Sequence, residues 1–288
     1  MSSAETLWAL ARAVLIGLLL AILLLRLFEE RLVFFPNQFA TGEWDPAAHG
    51  VQAEDVYFTT SDGLRLHGWL APTKEGWASE STPTILYFHG NAGNLTNRID
   101  NIGFLQQLGL NVLAVDYRGF GKSEGRPTEE GIYRDAEAAY DYLVRERGLP
   151  PERLVVLGQS LGVAVAVDLA TKRKVAGLIL EAGFPSARRV VARAMWLPGL
   201  QYIIRSKFDS AAKLKQIRVP VLVAHCRQDS VLPFVLGEEL YAAANEPKKF
   251  VPYPGDCHEP LYLADPADYA ARLRNFLGEA TEAPRHRE

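Results

Sequence analysis

The chain has 288 residues, 48% of them apolar and 23% charged, the balance of an ordinary globular protein. Thirty-one basic against 34 acidic residues leave a formal net charge of -3, which argues against a nucleic-acid binder with its clustered basic excess. Two cysteines, Cys226 and Cys257, are too few for a disulfide scaffold and lack metal-finger spacing.

Residues 7–28 read LWALARAVLIGLLLAILLLRLF, broken only by Arg12 and Arg26. The uninterrupted run 13–25 makes about 20 Å of helix, short of a bilayer core of roughly 30 Å. With the two arginines reaching for opposite interfaces, the whole stretch spans it. The small-x-small triplets precede the apolar core, whereas a signal-peptidase site follows one. An uncleaved single-pass anchor is therefore expected ahead of a cleaved signal or an interfacial helix. Arg12 on one side and Arg26 with Arg31 on the other leave its orientation open.

Residues 29–50 read as a linker carrying an apolar patch, LVFFP, at 32–36. Beyond it, short apolar runs bounded by turn residues occur at 55–60, 64–71, 84–89, 111–116, 153–158, 176–181, 219–225 and 248–253. Segments of helical periodicity lie between most of them. In 129–147, for example, Ile132, Ala136, Ala139 and Leu143 share a face; 234–245 is a second case. Ser61-Asp62-Gly63 is a good hairpin turn between the first two runs. The later alternation implies right-handed crossovers, a mostly parallel sheet and helices on both faces, in one α/β domain over 51–278. The segment 185–218 breaks that alternation with the apolar stretch VVARAMWLPGLQYII. It reads as a small helical lid whose Met195, Trp196, Leu197, Tyr202 and Ile203 wall a pocket, the alternative being a helical pair packed on the body. Residues 279–288 read as a loose polar tail.

The candidate chemistry centres on Gly158-Gln159-Ser160-Leu161-Gly162. The pattern is weak alone, but a buried-strand run, LVVL, precedes it and a helical stretch follows. A sharp strand-to-helix turn needs glycines, and it would project the Ser160 hydroxyl out of the sheet at a helix N-terminus. A serine needs an oriented base, and in this architecture the order is serine, acid, histidine. Of the three later histidines, His286 lies in the tail, His225 ends a strand run and reads as packed, and His258 sits in GDCHE after the last strand. His258 is the candidate base. Asp229, in HCRQDSVLP, is the candidate acid, with Glu181 as fallback; Asp256 stands too close to His258 in sequence to orient it easily. Oxyanion donors are expected from the N–H of Leu161 and from the loop HGNAGN at 89–94, with Asn91 favoured over Ala92. His89 precedes the serine and reads as a loop brace, as does the block Asp116-Tyr117-Arg118-Gly119. No dinucleotide fingerprint, Walker loop or metal-ligand cluster occurs, so no cofactor or metal is expected.

These blocks together resemble an α/β-hydrolase-fold serine hydrolase. They are most similar to the membrane-anchored group of Bem46-like proteins and the mammalian α/β-hydrolase-domain proteins of types 13 and 17. The resemblance is carried by the anchor and LVFFP, by YFHGNAGN (87–94), DYRGFGKSEGRPTEEG (116–131), LGQSLG (157–162) and FDSAAKLKQIRVPVLVAH (208–225), and by the Asp229 and His258 loops. It implies Ser160 as nucleophile, Asp229 as acid, His258 as base, and Asn91 and Leu161 as oxyanion donors. The group often has glycine where Cys226 stands, and glycine or another small residue where Cys257 stands. Both cysteines fall at the ends of strands expected to be neighbours, which leaves a Cys226–Cys257 disulfide open and with it an oxidising compartment. The expected function is cleavage of ester or thioester bonds of acyl substrates, small molecules, lipids or acylated proteins. A prolyl-oligopeptidase-type peptidase and a non-catalytic membrane-tethered binding module are the alternatives.

Overall fold

The computed structural model describes residues 3–77, 82–194, 199–258 and 260–282. The chain opens with α1 (Ser3–Val33), β1 (Phe35–Pro36), β2 (Glu54–Thr59), β3 (Arg65–Ala71), β4 (Thr84–Phe88) and β5 (Ala92–Gly93). Helices and strands then alternate: α2 (Ile99–Gln107), β6 (Asn111–Asp116), α3 (Glu129–Asp141), β7 (Leu154–Gln159), α4 (Leu161–Lys172) and β8 (Gly177–Glu181). The remainder is α5 (Ala187–Ala194), α6 (Ser210–Leu214), β9 (Val221–Cys226), α7 (Phe234–Ala243), β10 (Lys248–Tyr253) and α8 (Pro266–Glu282).

Eight strands form one sheet in the order β10-β9-β8-β7-β4-β6-β3-β2. Only the β2–β3 and β3–β6 pairs are antiparallel. The eight apolar runs read from sequence match these strands to within two residues. β4, β6, β7, β8 and β9 are buried along their whole length, as strands covered on both faces must be. Successive side chains feed two separate cores. Leu86, Leu113, Val156 and Leu178 pack towards α3 and α4, whereas Ile85, Val112, Val155 and Ile179 pack towards α2 and α8. This is the mostly parallel, doubly covered sheet expected from the alternation, and the α/β-hydrolase architecture that the resemblance implies.

Three segments differ from their sequence pattern. α1 does not stop at residue 28 but runs 31 residues, about 47 Å at 1.5 Å each, into the stretch that reads as a linker. Most of its apolar residues are exposed, and it is long and apolar enough to cross a membrane. α8 continues through Glu282, past the point where composition suggests a frayed tail, because Ala280 is buried against Gly177 of β8. The segment 185–218, expected as a lid, contains α5 and α6, and α6 packs on the body against α4 and α7, with Ser210 and Leu214 buried.

Candidate active site

β7 passes into α4 through Ser160, whose φ of 52° and ψ of -113° no β-carbon-bearing residue adopts without strain. The surroundings enforce it. A Cβ on Gly158 would lie 2.3 Å from the Gly162 carbonyl oxygen, and one on Gly162 would lie 2.0 Å from that of Phe88. Only glycine lets β4, β7 and α4 approach this closely. The Ser160 N–H donates to the Glu181 carbonyl at 2.8 Å, which ties the turn to β8.

β9 and β10 are parallel neighbours whose last paired residues are Cys226 and Tyr253. Their following loops therefore leave the sheet side by side. The Gln228 N–H donates to the Gly255 carbonyl at 3.1 Å, and Ser230 N–H donates to the Asp256 carboxylate at 3.0 Å. Cys226 and Cys257 are joined as a disulfide with their Cα atoms 5.6 Å apart. This knitting brings His258 Nδ1 to 2.8 Å from Asp229 Oδ2 and His258 Nε2 to 3.0 Å from Ser160 Oγ. An ionised carboxylate only accepts, so Nδ1 carries the proton and Nε2 turns its lone pair to the serine hydroxyl.

The Asp229 side chain is fully buried. Burial alone would raise its carboxyl, but hydrogen bonds from His225, His258 and the Leu232 amide outweigh that and hold it well below the usual carboxylate range. Its Oδ1 accepts the N–H groups of Val231 and Leu232, both at 2.8 Å. His225, buried as expected, also props this loop: its Nε2 donates to the Leu232 carbonyl at 2.8 Å and lies 3.3 Å from Asp229 Oδ2. Nothing in the sequence marked that supporting role.

Ser160, Leu161 and Asn91 line one cavity of about 270 Å³. The N–H groups of Leu161 and Asn91 find no backbone acceptor among the described residues, and Leu161 opens α4. Ala92 instead belongs to β5, paired with Phe35 of β1. The far wall is apolar and includes Phe184, Val190, Val191, Ile204 and Phe208. Among the expected lid contacts, Tyr202 is 69% exposed and, like Ile203, does not line the cavity, whereas Met195, Trp196 and Leu197 lie outside the described residues.

The other candidates are engaged elsewhere. Glu181 accepts from Gln159 at 2.7 Å and from the Tyr269 hydroxyl, within a buried polar network below the turn. His89 is buried; its Nδ1 lies 2.7 Å from the Gly90 carbonyl and its own carbonyl accepts from Tyr117 at 2.8 Å. Arg118 holds Asp62 through two bonds of 2.8 and 3.0 Å and Asp135 through its backbone N–H and Nε. This fixes the loop after β6. His286 lies outside the described residues. No group of three or more metal-ligating side chains is gathered among the described residues.

The α/β-hydrolase-fold family model matches residues 83–212. The α/β-hydrolase domain-containing protein WAV2 of Arabidopsis thaliana is 34% identical over 279 residues, 88% of this chain and 89% of that protein. Protein bem46 of Schizosaccharomyces pombe is 31% identical over 274 residues, 91% of this chain and 89% of its own length. Among solved structures, an esterase of Pyrococcus furiosus superposes with a TM-score of 0.69 at 22% identity, covering 86% of this chain and 98% of that one.

Proposed function

Since the chain belongs to the α/β-hydrolase-domain family of WAV2 and Bem46, we propose that it is a membrane-anchored serine hydrolase of acyl esters or thioesters. The hydrolase fold and the likeness to an esterase support hydrolysis as the reaction. The observation that carries the finer reading is the hydrogen-bonded chain from Ser160 through His258 to Asp229, ending at an apolar cavity.

In this mechanism Ser160 Oγ attacks the acyl carbonyl carbon while His258 Nε2 takes its proton. Asp229 holds the imidazole in the required tautomer and stabilises the imidazolium. The N–H groups of Asn91 and Leu161 receive the carbonyl oxygen as it becomes an oxyanion, with the α4 N-terminus adding favourable dipole. Collapse of the tetrahedral intermediate passes the proton from Nε2 to the leaving alcohol or thiol. Water, deprotonated by His258, then attacks the acyl carbon, and Nε2 returns that proton to Ser160 Oγ as the acid departs. α1, apolar and exposed, serves as a single-pass anchor.

The test is fluorophosphonate labelling and p-nitrophenyl ester hydrolysis by the parent chain and Ser160→Ala. Labelling and turnover should both vanish in the variant, with a kcat loss approaching ~10⁶. Equal turnover by the two proteins would remove the mechanism. A folded parent that binds acyl esters without turnover would favour a binding module instead.

A further inference from the structure

Residues 203–206 lie along the end of α1. Arg26 Nε donates to the Ile203 carbonyl at 3.2 Å. The Glu29 carboxylate accepts the Arg205 N–H at 3.0 and 2.8 Å and the Ser206 N–H at 2.7 Å, and the Arg205 guanidinium approaches both Glu29 and Glu30 at 3.7 Å. Glu29 is 3% exposed although Leu27 and Phe28 beside it are 64% and 46% exposed. Glu29 is the buried residue of α1, and Arg26 before it and Val33 after it also touch the body. The C-terminal end of the helix is secured as well. The Val33 carbonyl accepts from the Asn91 side chain, and the Phe34 ring meets Phe208 edge-on at 6.1 Å.

These contacts matter because of where they fall. Glu29 and Val33 of α1 line the Ser160 cavity together with Ile204, Ser206 and Phe208. The wall begins at the residue directly after the apolar run of 7–28, with no spacer between the span and the cavity. A buried carboxylate satisfied by backbone amides of a segment about 176 positions away fixes that segment's position.

We propose that the end of α1, with Ile204 and Ser206 of the segment it holds, forms the acyl-chain wall of the cavity, with Glu29 as the positioning residue that sets acyl-length preference and a long-chain acyl ester of the surrounding bilayer as substrate. The proposal rests on Ser160 as nucleophile and on α1 as anchor. Removing the Glu29 carboxylate frees the Arg205 and Ser206 amides and loosens the wall. A two-carbon acyl group needs only the Ser160 end; a long chain needs the wall.

The test uses the full chain in phosphatidylcholine vesicles, with p-nitrophenyl acetate as soluble probe and 4-methylumbelliferyl oleate as vesicle-borne probe. Glu29→Ala should lose kcat/KM for the oleate about tenfold more than for the acetate, mainly through KM, an effect of roughly 1.4 kcal/mol. Glu29→Gln keeps one acceptor oxygen and should recover part of the loss. Equal losses on both probes, with fluorophosphonate labelling retained, would overturn the proposal. A second measurement needs no variant. The parent should hydrolyse oleate ester carried in its own vesicles at least about tenfold faster than ester carried in separate ones, and equal rates would overturn bilayer uptake. A parent that fluorophosphonate does not label would instead sink the assignment of Ser160, and this proposal with it.

Discussion

The bond between Cys226 and Cys257 closes a loop over a sequence separation of 31 residues, and that loop contains the whole of α7 and β10. Chain-entropy reasoning gives a loss of about 12 cal/mol/K for the unfolded state, or about 3.7 kcal/mol at 25 °C. At 2–4 °C per kcal/mol for a domain of this size, reduction should lower Tm by roughly 7–15 °C. Catalysis should suffer as well. Cys226 stands three positions before Asp229 and Cys257 directly before His258, so the bridge staples the acid loop to the base loop. Scanning calorimetry of the oxidised chain, the chain with a phosphine reductant, and Cys226→Ala/Cys257→Ala reads the first effect; ester turnover below the lower Tm reads the second. The double variant should match the reduced parent in both. Two maleimide-reactive thiols in unreduced, denatured protein, together with a Tm insensitive to reductant, would refute the bond and the oxidising compartment it requires.

Asp229→Asn keeps the shape of the site but offers His258 an amide that stabilises the wrong tautomer, so kcat should fall by about 10⁴ with labelling of Ser160 slowed in parallel. The same variant probes pH dependence. Asp229 is held below its ordinary value of about 3.9, so its stabilisation is complete above that pH and disappears as pH falls through the lower folded value. Denaturant unfolding should therefore show a gap between parent and Asp229→Asn at pH 7 that narrows in strong acid; a constant gap would contradict the assignment. Gly162→Ala places a methyl 2.0 Å from the Phe88 carbonyl oxygen, and the packing strain should cost about 3 kcal/mol or more, read as loss of soluble, folded chain. Arg118→Ala takes the guanidinium from the buried Asp135 carboxylate and leaves it the residue-118 backbone N–H, so it should cost about 3 kcal/mol in denaturant unfolding, while turnover per folded molecule stays at the parental level.

The sheet was legible because short apolar runs and the turn residues that bound them are local. Leu154-Val155-Val156-Leu157 is too short and too uniformly apolar for a surface helix and reads as a covered strand, and Ser61-Asp62-Gly63 reads as a turn between two others. Ser160, Asp229 and His258 could be named for a related reason: parallel strands put their functional loops at one end of the sheet, so the loops after β7, β9 and β10 had few other uses. What could not be read was the tertiary fate of charged residues in apolar company. Glu29 lies in EERLVFF, where the pattern gives it to a linker; its burial depends on amides at 205 and 206 that no local pattern reveals. His225 likewise reads as one more packed histidine until the Asp229 loop is seen folded over it. The apolar stretch 190–204 points to Tyr202 as a pocket wall, yet Ile204 and Val190 take that position, because a stretch rich in apolar residues does not say which of them turns inward.

The polarity of the sheet also constrains the tether. β4, β7, β9 and β10 run parallel, so the loops bearing Asn91, Ser160, Asp229 and His258 all emerge at their carboxyl ends. α1 does not join the body at the opposite end. It enters among these loops, through pairing of β1 with β5 and through the Asn37 N–H, which donates to the Gly93 carbonyl at 3.0 Å. A helix attached there is tied to the 89–94 loop, since the Asn91 side chain donates to the Val33 carbonyl. Under the proposed reading of α1 as a span, the part of the domain joined directly to that span is the carboxyl end of the sheet, where Glu29 and Val33 line the Ser160 cavity.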